Sequence, residues 1–325
     1  MGSCLRIWCA VLMTVVGAAS PSQAQSVPYK FKAAGENPAF EWFFLIVDAG
    51  KEQGIWAKHG LDPDFVPTAG SAAQLKERVD AGVKLGFVNT AEVPLARSGG
   101  TPVKVVASYF GETGARIFVS GNGPIKTAKE LDGKRIGIVA TTHTSYRTVL
   151  FMNEKLAIKA EPVPLGNLQN NVAALKAGQI DAFYSAEGAA LTLVDTGDVR
   201  LLLPLADIYP KPYAAVVVWT TDYLIKDNHD LVTRFVNATL ETVEFIKTHA
   251  SDATKLYVKR TNASQNVAQK AVASFNQVLA PSGRGSGRDL VAAVKGNWQF
   301  TTESGAVPRE TTVKIEDVVD TTFLP

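Results

Sequence analysis

The sequence predicts an α/β protein of two lobes, each a mainly parallel sheet flanked by helices. From Tyr29 onward, short apolar runs of strand character alternate with helical periodicity at the pitch of right-handed βαβ units. A second set of elements from Arg116 repeats the plan of the first, each strand ending in a small polar turn that opens a helix. A chain of 325 residues, 46% of them hydrophobic, has enough apolar material for a core that divides in two at this length.

In the first set, Tyr29 to Ala34 reads as a strand. Phe40 to His59 then carries apolar residues at helical spacing, closed by Gly60. Leu61 to Pro67 is the next strand, and Ser71 caps a helix through Val79. Lys84 to Val88 is a buried strand, Ala91 to Ser98 a helix, and Val103 to Ser108 a further strand. In the second set the strands are Ile117 to Ser120, Arg135 to Val139, Pro162 to Leu165, Asp181 to Tyr184 and Leu201 to Leu205. Helices are expected from the Thr127 cap to Gly133, from Ser145 to Leu156 and from Leu168 to Ala177. Val216 to Trp219 forms a last strand, Leu231 to Lys247 a long amphipathic helix, and the rest is helical with a Gly-rich break at 282–287.

The N-terminus sets the compartment. Arg6 precedes the apolar run Ile7 to Ala19, and Ser22 and Ala24 stand where a signal peptidase reads small residues. Cleavage is expected after Ala24, because the apolar run is shorter than the roughly 20 residues of a bilayer span. Both cysteines, Cys4 and Cys9, fall inside this segment, so the mature chain offers no disulfide, thiol nucleophile or cysteine-ligated metal. Cleavage also removes Arg6 from the 33 basic residues, leaving 32 against 31 acidic ones. A net charge of +1 with no charged run offers neither a nucleic-acid stripe nor a polybasic membrane patch.

Six stretches, in order, resemble a known family. They are Ala49 to Asp62, Thr68 to Leu75, Gly82 to Val88, Gly99 to Val106, Leu131 to Gly137 and Ala177 to Ala182. Together they resemble the nitrate/sulfonate/taurine and thiamine-pyrimidine (SsuA/THI5-like) solute receptors of ABC importers, over roughly residues 29 to 250. Gly54-Ile55-Trp56 departs from the GYF- or GFF-like step common there. The resemblance implies a type II periplasmic-binding fold with the ligand cleft between its lobes, residues 25–112 and 213–325 forming lobe I, residues 113–212 forming lobe II, and crossings near Tyr109–Gly114 and Tyr209–Tyr213.

Ligands of open α/β sheets bind beyond the carboxyl ends of strands, where helix N-termini present unpaired N–H groups. In lobe I those turns are Gly70-Ser71 and Asn89-Thr90, although Ser71 and Thr90 serve equally as helix caps. In lobe II the equivalent turn is Thr141-Thr142-His143-Thr144-Ser145, more polar than a cap requires; its candidate contacts are Thr142, His143, Thr144 and Ser145. Glu187 sits where relatives carry a polar contact, and it either meets a ligand amine or pairs with Arg116 or Arg147. Trp42 and Tyr213 are either core packing or aromatic walls of the pocket.

The function expected from the resemblance is capture of a small organic anion, of sulfonate or carboxylate type, by lobe closure in the periplasm. The protein is expected to act as a monomer, without cofactor, metal or nucleic acid, and to deliver its ligand to a permease and an ATPase. The competing readings are a desulfinase- or THI5-like enzyme on the same fold and a ligand-sensing subunit. Against an enzyme stand the missing thiol and four histidines (His59, His143, His229, His249) without metal-ligand spacing.

Overall fold

The computed structural model describes residues 28–36, 41–141, 143–186, 188–279, 287–305, 307 and 311–324. The expected signal segment lies outside them. In chain order the first elements are β1 (Tyr29–Glu36), α1 (Glu41–Glu52), α2 (Ile55–Lys58), β2 (Leu61–Pro67), α3 (Ala72–Asp80), β3 (Leu85–Asn89), α4 (Glu92–Ser98) and β4 (Val103–Ser108). A second group follows: β5 (Arg116–Ser120), β6 (Arg135–Ile138), α5 (Thr144–Leu156), β7 (Glu161–Pro164), α6 (Leu168–Lys176), β8 (Ala182–Ser185), α7 (Thr192–Asp195) and β9 (Val199–Pro204). The chain then adds β10 (Val216–Thr221), α8 (Asp222–Asp227), α9 (His229–Thr248), α10 (Ala250–Thr261), α11 (Gln265–Val278), α12 (Gly287–Glu303) and α13 (Ile315–Val318).

Two five-stranded sheets result, in the orders β2-β1-β3-β10-β4 and β7-β6-β8-β5-β9. Each holds four strands running one way and one strand, β10 or β5, running against them in the same place. The central strands are buried along their length, as both-face coverage by helices requires: every residue of β8 and β10 is buried. The helix expected over Phe40 to His59 is interrupted. Gly54 adopts φ 65°, a left-handed conformation that ends α1 and restarts the chain as α2.

Aromatic packing fixes the first sheet against α9, with Phe87, Phe65 and Trp56 each within 6.4 Å of the Phe235 ring. In the second lobe Ile117, Ile138, Val149 and Phe151 form the corresponding core. The chain leaves the first sheet after Ser108 and returns to it at Val216. The first connection is pinned by Gly111 N–H donating to Val278 O at 2.9 Å, and by the buried Tyr109 and Phe110.

Helix α12 touches both lobes. Leu290 and Val294 join the cluster around Trp219 and Val105, whereas Phe300 joins Phe151 and Tyr209. It also grips the second connection: Ala214 N–H donates to Ala293 O at 3.2 Å, and Asn297 Nδ2 donates to Ala214 O at 2.8 Å. No helix among the described residues is long and apolar enough to cross a membrane.

Candidate functional site

A cavity of about 440 Å³ opens where the two sheets face each other. Lobe I contributes Gly70 from the turn before α3, Asn89 from the end of β3, Thr90 from the turn that follows, and Glu92 from the start of α4. Lobe II contributes His143, Thr144 and Arg147 from the start of α5, and Tyr184 from β8. Tyr209 and Tyr213 of the second connection and Asn297, Phe300 and Thr301 of α12 close the floor. The aromatic floor is tight: Phe300 stacks on Tyr209 at 4.5 Å, and Tyr213 meets Tyr209 edge-on at 5.1 Å.

The polar side is built around α5. His143 is its N-cap, with Nδ1 accepting from Ser145 N–H at 3.1 Å. Ser145 Oγ accepts from Val139 N–H at 3.1 Å and lies 3.0 Å from the same Nδ1. An Nδ1 that accepts places the proton of the neutral ring on Nε2. Burial, reinforced by the nearby Arg147 guanidinium, holds the His143 pKa down at about 4, so the ring is neutral at pH 7. Thr148 Oγ1 donates to Thr144 O at 2.9 Å, which leaves Tyr209 to donate its hydroxyl to Thr148 at 2.7 Å.

Arg147 lies one turn into α5, and its guanidinium reaches Glu92 of α4 at 3.6 Å. This ion pair spans the cleft from lobe to lobe. The Glu92 side chain is 3% exposed and that of Arg147 16%, so neither charge is well solvated. Burial raises the Glu92 pKa more than Arg147 and the Ala72 N–H lower it. Thr90 is fully buried, and its Oγ1, at the cavity wall, has no hydrogen-bond partner among the described residues. A buried hydroxyl left unpaired carries a desolvation cost.

The structure gathers Gly70, Asn89, Thr90, His143, Thr144 and Tyr213 around the cavity. Ser71 lines a second, outer cavity of about 500 Å³ that shares Gly70, Glu92 and Arg147 with the first. It caps α3 by accepting from Gln74 N–H at 3.2 Å. Thr90, by contrast, is not a cap: α4 starts from Ala91 with no side-chain cap. Ser145 does not line either cavity; its hydroxyl is fully buried and engaged by Val139 and His143, as helix-start packing demands. Thr142 and Glu187 lie outside the described residues, as does the side chain of Trp42, which sits in α1.

Sequence reasoning passed over Glu92, Asn297 and Phe300, and treated Arg147 only as a partner for Glu187. For Arg147 a signal existed: it stands four residues after His143, on the same face of α5. For α12 there was none, since only the tertiary fold carries residues 297–301 into the cleft. No group of three or more potential metal ligands exists among the described residues.

Comparison with known proteins bears on the fold. The aliphatic sulphonate binding protein SsuA of Escherichia coli, a periplasmic protein, superposes with a TM-score of 0.71 at 16% identity, over 90% of this chain and 92% of that one. The alkanesulfonate-binding protein SsuA of Xanthomonas axonopodis pv. citri, bound to MOPS, gives 0.68 at 16% identity, over 92% of this chain and 100% of that one. The desulfurization enzyme DSZB gives 0.62 at 19% identity, over 90% and 97%. At such identities the likeness is one of fold: two lobes of the periplasmic-binding-protein type. Among curated proteins none matches the sequence. The sequence profile described as "NMT1/THI5 like" matches residues 44–253, close to two thirds of the chain, and the protein therefore belongs to the NMT1/THI5-like family.

Proposed function

We propose that the protein is the solute-binding component of an ABC importer, taking a small organic acid of sulfonate or carboxylate type between its lobes. The observation that carries this reading is the cavity walled by both lobes with one guanidinium in it, Arg147 at the start of α5. A helix N-terminus and an arginine fork together suit an oxyanion, and the tyrosine and phenylalanine floor suits the carbon skeleton attached to it. Thr90 Oγ1 supplies a further hydrogen bond from the opposite lobe. Contacts to both lobes favour the closed arrangement, with residues 109–115 and 205–215 acting as the hinge.

Export of the mature chain from residue 25, and delivery to a permease and an ATPase, belong to the same proposal. Sulfonates are named for the two SsuA proteins, and the carboxylate alternative follows from the shared geometry of the two oxyanions. A cysteine nucleophile in the cleft has no source in this chain, whose two cysteines are Cys4 and Cys9. The test is a thermal-shift screen with nitrate, aliphatic and aromatic sulfonates, taurine, aromatic carboxylates and pyrimidines. A ligand at 100 times its dissociation constant stabilises by about 2.7 kcal/mol. A response to acids is the expected result; a response confined to neutral pyrimidines overturns the acid assignment.

A further inference from the structure

The proposed solute site carries a charge balance that binding an acid must disturb. Glu92 faces both the inner and the outer cavity. Its carboxylate accepts from Ala72 N–H at the start of α3 and pairs with Arg147 of α5 at 3.6 Å. The other titratable groups at the inner cavity are His143 of α5, Tyr184 of β8, and Tyr209 and Tyr213 of the second connection. Burial holds both Tyr209 and Tyr213 far above neutrality, so these two hydroxyls keep their protons. His143 presents an Nδ1 lone pair already directed at two donors of Ser145. Among the described residues lining the inner cavity, Arg147 is the one cation at neutral pH and Glu92 the one carboxylate.

An acid group that docks on Arg147 brings a second negative charge against a single guanidinium, beside a Glu92 side chain that is only 3% exposed. Two carboxylates sharing one site cannot both stay ionised at low cost. Resting on the receptor reading above, we propose that this cleft takes monoanionic acids together with one proton: the acid replaces Glu92 as the partner of Arg147, and a proton from solvent moves onto the Glu92 carboxylate. The bound site then holds one guanidinium, one acid anion and a neutral Glu92, with charge conserved. Burial has already raised the Glu92 pKa in the free protein, which brings that proton within reach. A dianion leaves an excess negative charge that the cavity cannot neutralise, so the site selects against it.

The experiment is calorimetric titration of the purified protein and of Glu92→Gln with methanesulfonate, benzenesulfonate, benzoate and taurine. Titrations run from pH 6 to pH 8 in buffers of different ionisation enthalpy. In the wild type, a plain acid is expected to bind with uptake approaching one proton, its affinity falling by up to about tenfold per pH unit. Glu92→Gln, which keeps an acceptor for the Ala72 N–H, is expected to bind the same acid without proton uptake and more tightly than wild type at pH 8. Wild-type binding without proton uptake overturns the proposal and leaves the receptor reading standing, whether or not the variant folds. Uptake that persists in Glu92→Gln overturns the assignment to Glu92. Binding of taurine alone overturns it too, because the solute's own ammonium then supplies the charge. Silence of both proteins toward every acid overturns the receptor reading and the proposal with it.

Discussion

Replacing Gly296 with alanine sets a local rule against the tertiary structure. Gly296 lies in the interior of α12, where glycine costs about 1 kcal/mol relative to alanine. Helix propensity alone therefore expects Gly296→Ala to stabilise. The structure expects the reverse, because a Cβ at 296 would stand 2.1 Å from the carbonyl oxygen of Pro212. That oxygen belongs to backbone held between α12 and β10 by the Ala214–Ala293 and Asn297–Ala214 hydrogen bonds, and it cannot rotate away as a side-chain tip would. Overpacking of this kind costs typically about 1–3 kcal/mol, and more where backbone must move. After the propensity gain, the net expectation is a loss of up to about 2 kcal/mol, or up to about 3 °C in Tm for a chain of this length. The displacement also shifts Asn297, Phe300 and Thr301 at the cavity floor, so solute affinity falls with stability. Thermal unfolding by circular dichroism reads the first effect and calorimetry the second. A Gly296→Ala protein that melts above wild type refutes the idea that α12 is seated on the second connection.

Two further substitutions separate stability from binding. Thr90→Val removes a fully buried hydroxyl that has no partner among the described residues, so it is expected to raise stability by about 1 kcal/mol in urea unfolding while weakening solute binding. Equal affinity in the variant places the ligand elsewhere. His143, depressed from 6.5 to about 4, contributes stability that is fully present above pH 6.5 and lost as pH falls through its folded value. His143→Asn keeps a cap acceptor for α5 and is expected to flatten the unfolding free energy over that window, by roughly 3 kcal/mol at most. Glu92 acts with the opposite sign: its raised carboxyl contributes stability present below 4.5 and lost as pH rises through the folded value. An acid limb unchanged in His143→Asn contradicts the buried, neutral ring.

The order of strands and helices was legible because period-2 and period-3.6 patterns change at small polar turns. The turns at Gly70, Asn89-Thr90 and His143-Thr144 were legible for the same reason, since a strand-to-helix junction is a local event. What escaped were features that local sequence does not encode. Gly54 divides a continuous apolar stripe that reads as one helix, and only its left-handed φ reveals the break. His143 caps α5, because an imidazole Nδ1 can do the work of a hydroxyl when the ring folds back on its own helix. Glu92 reads as an acidic residue in the first turn of an ordinary helix, yet the fold buries it opposite Arg147, some fifty residues away in sequence. Phe300 reached the site through α12, which straddles both lobes.

The central claim is that an acid-bearing solute binds between the lobes at Arg147. The most direct measurement is calorimetric titration of an acid identified by the thermal-shift screen into wild type and Arg147→Gln. Loss of the charged hydrogen bonds is expected to cost about 1.5–3 kcal/mol, roughly a 10- to 150-fold weakening, while Arg147→Gln still unfolds cooperatively. Equal affinity in the two proteins would contradict the account.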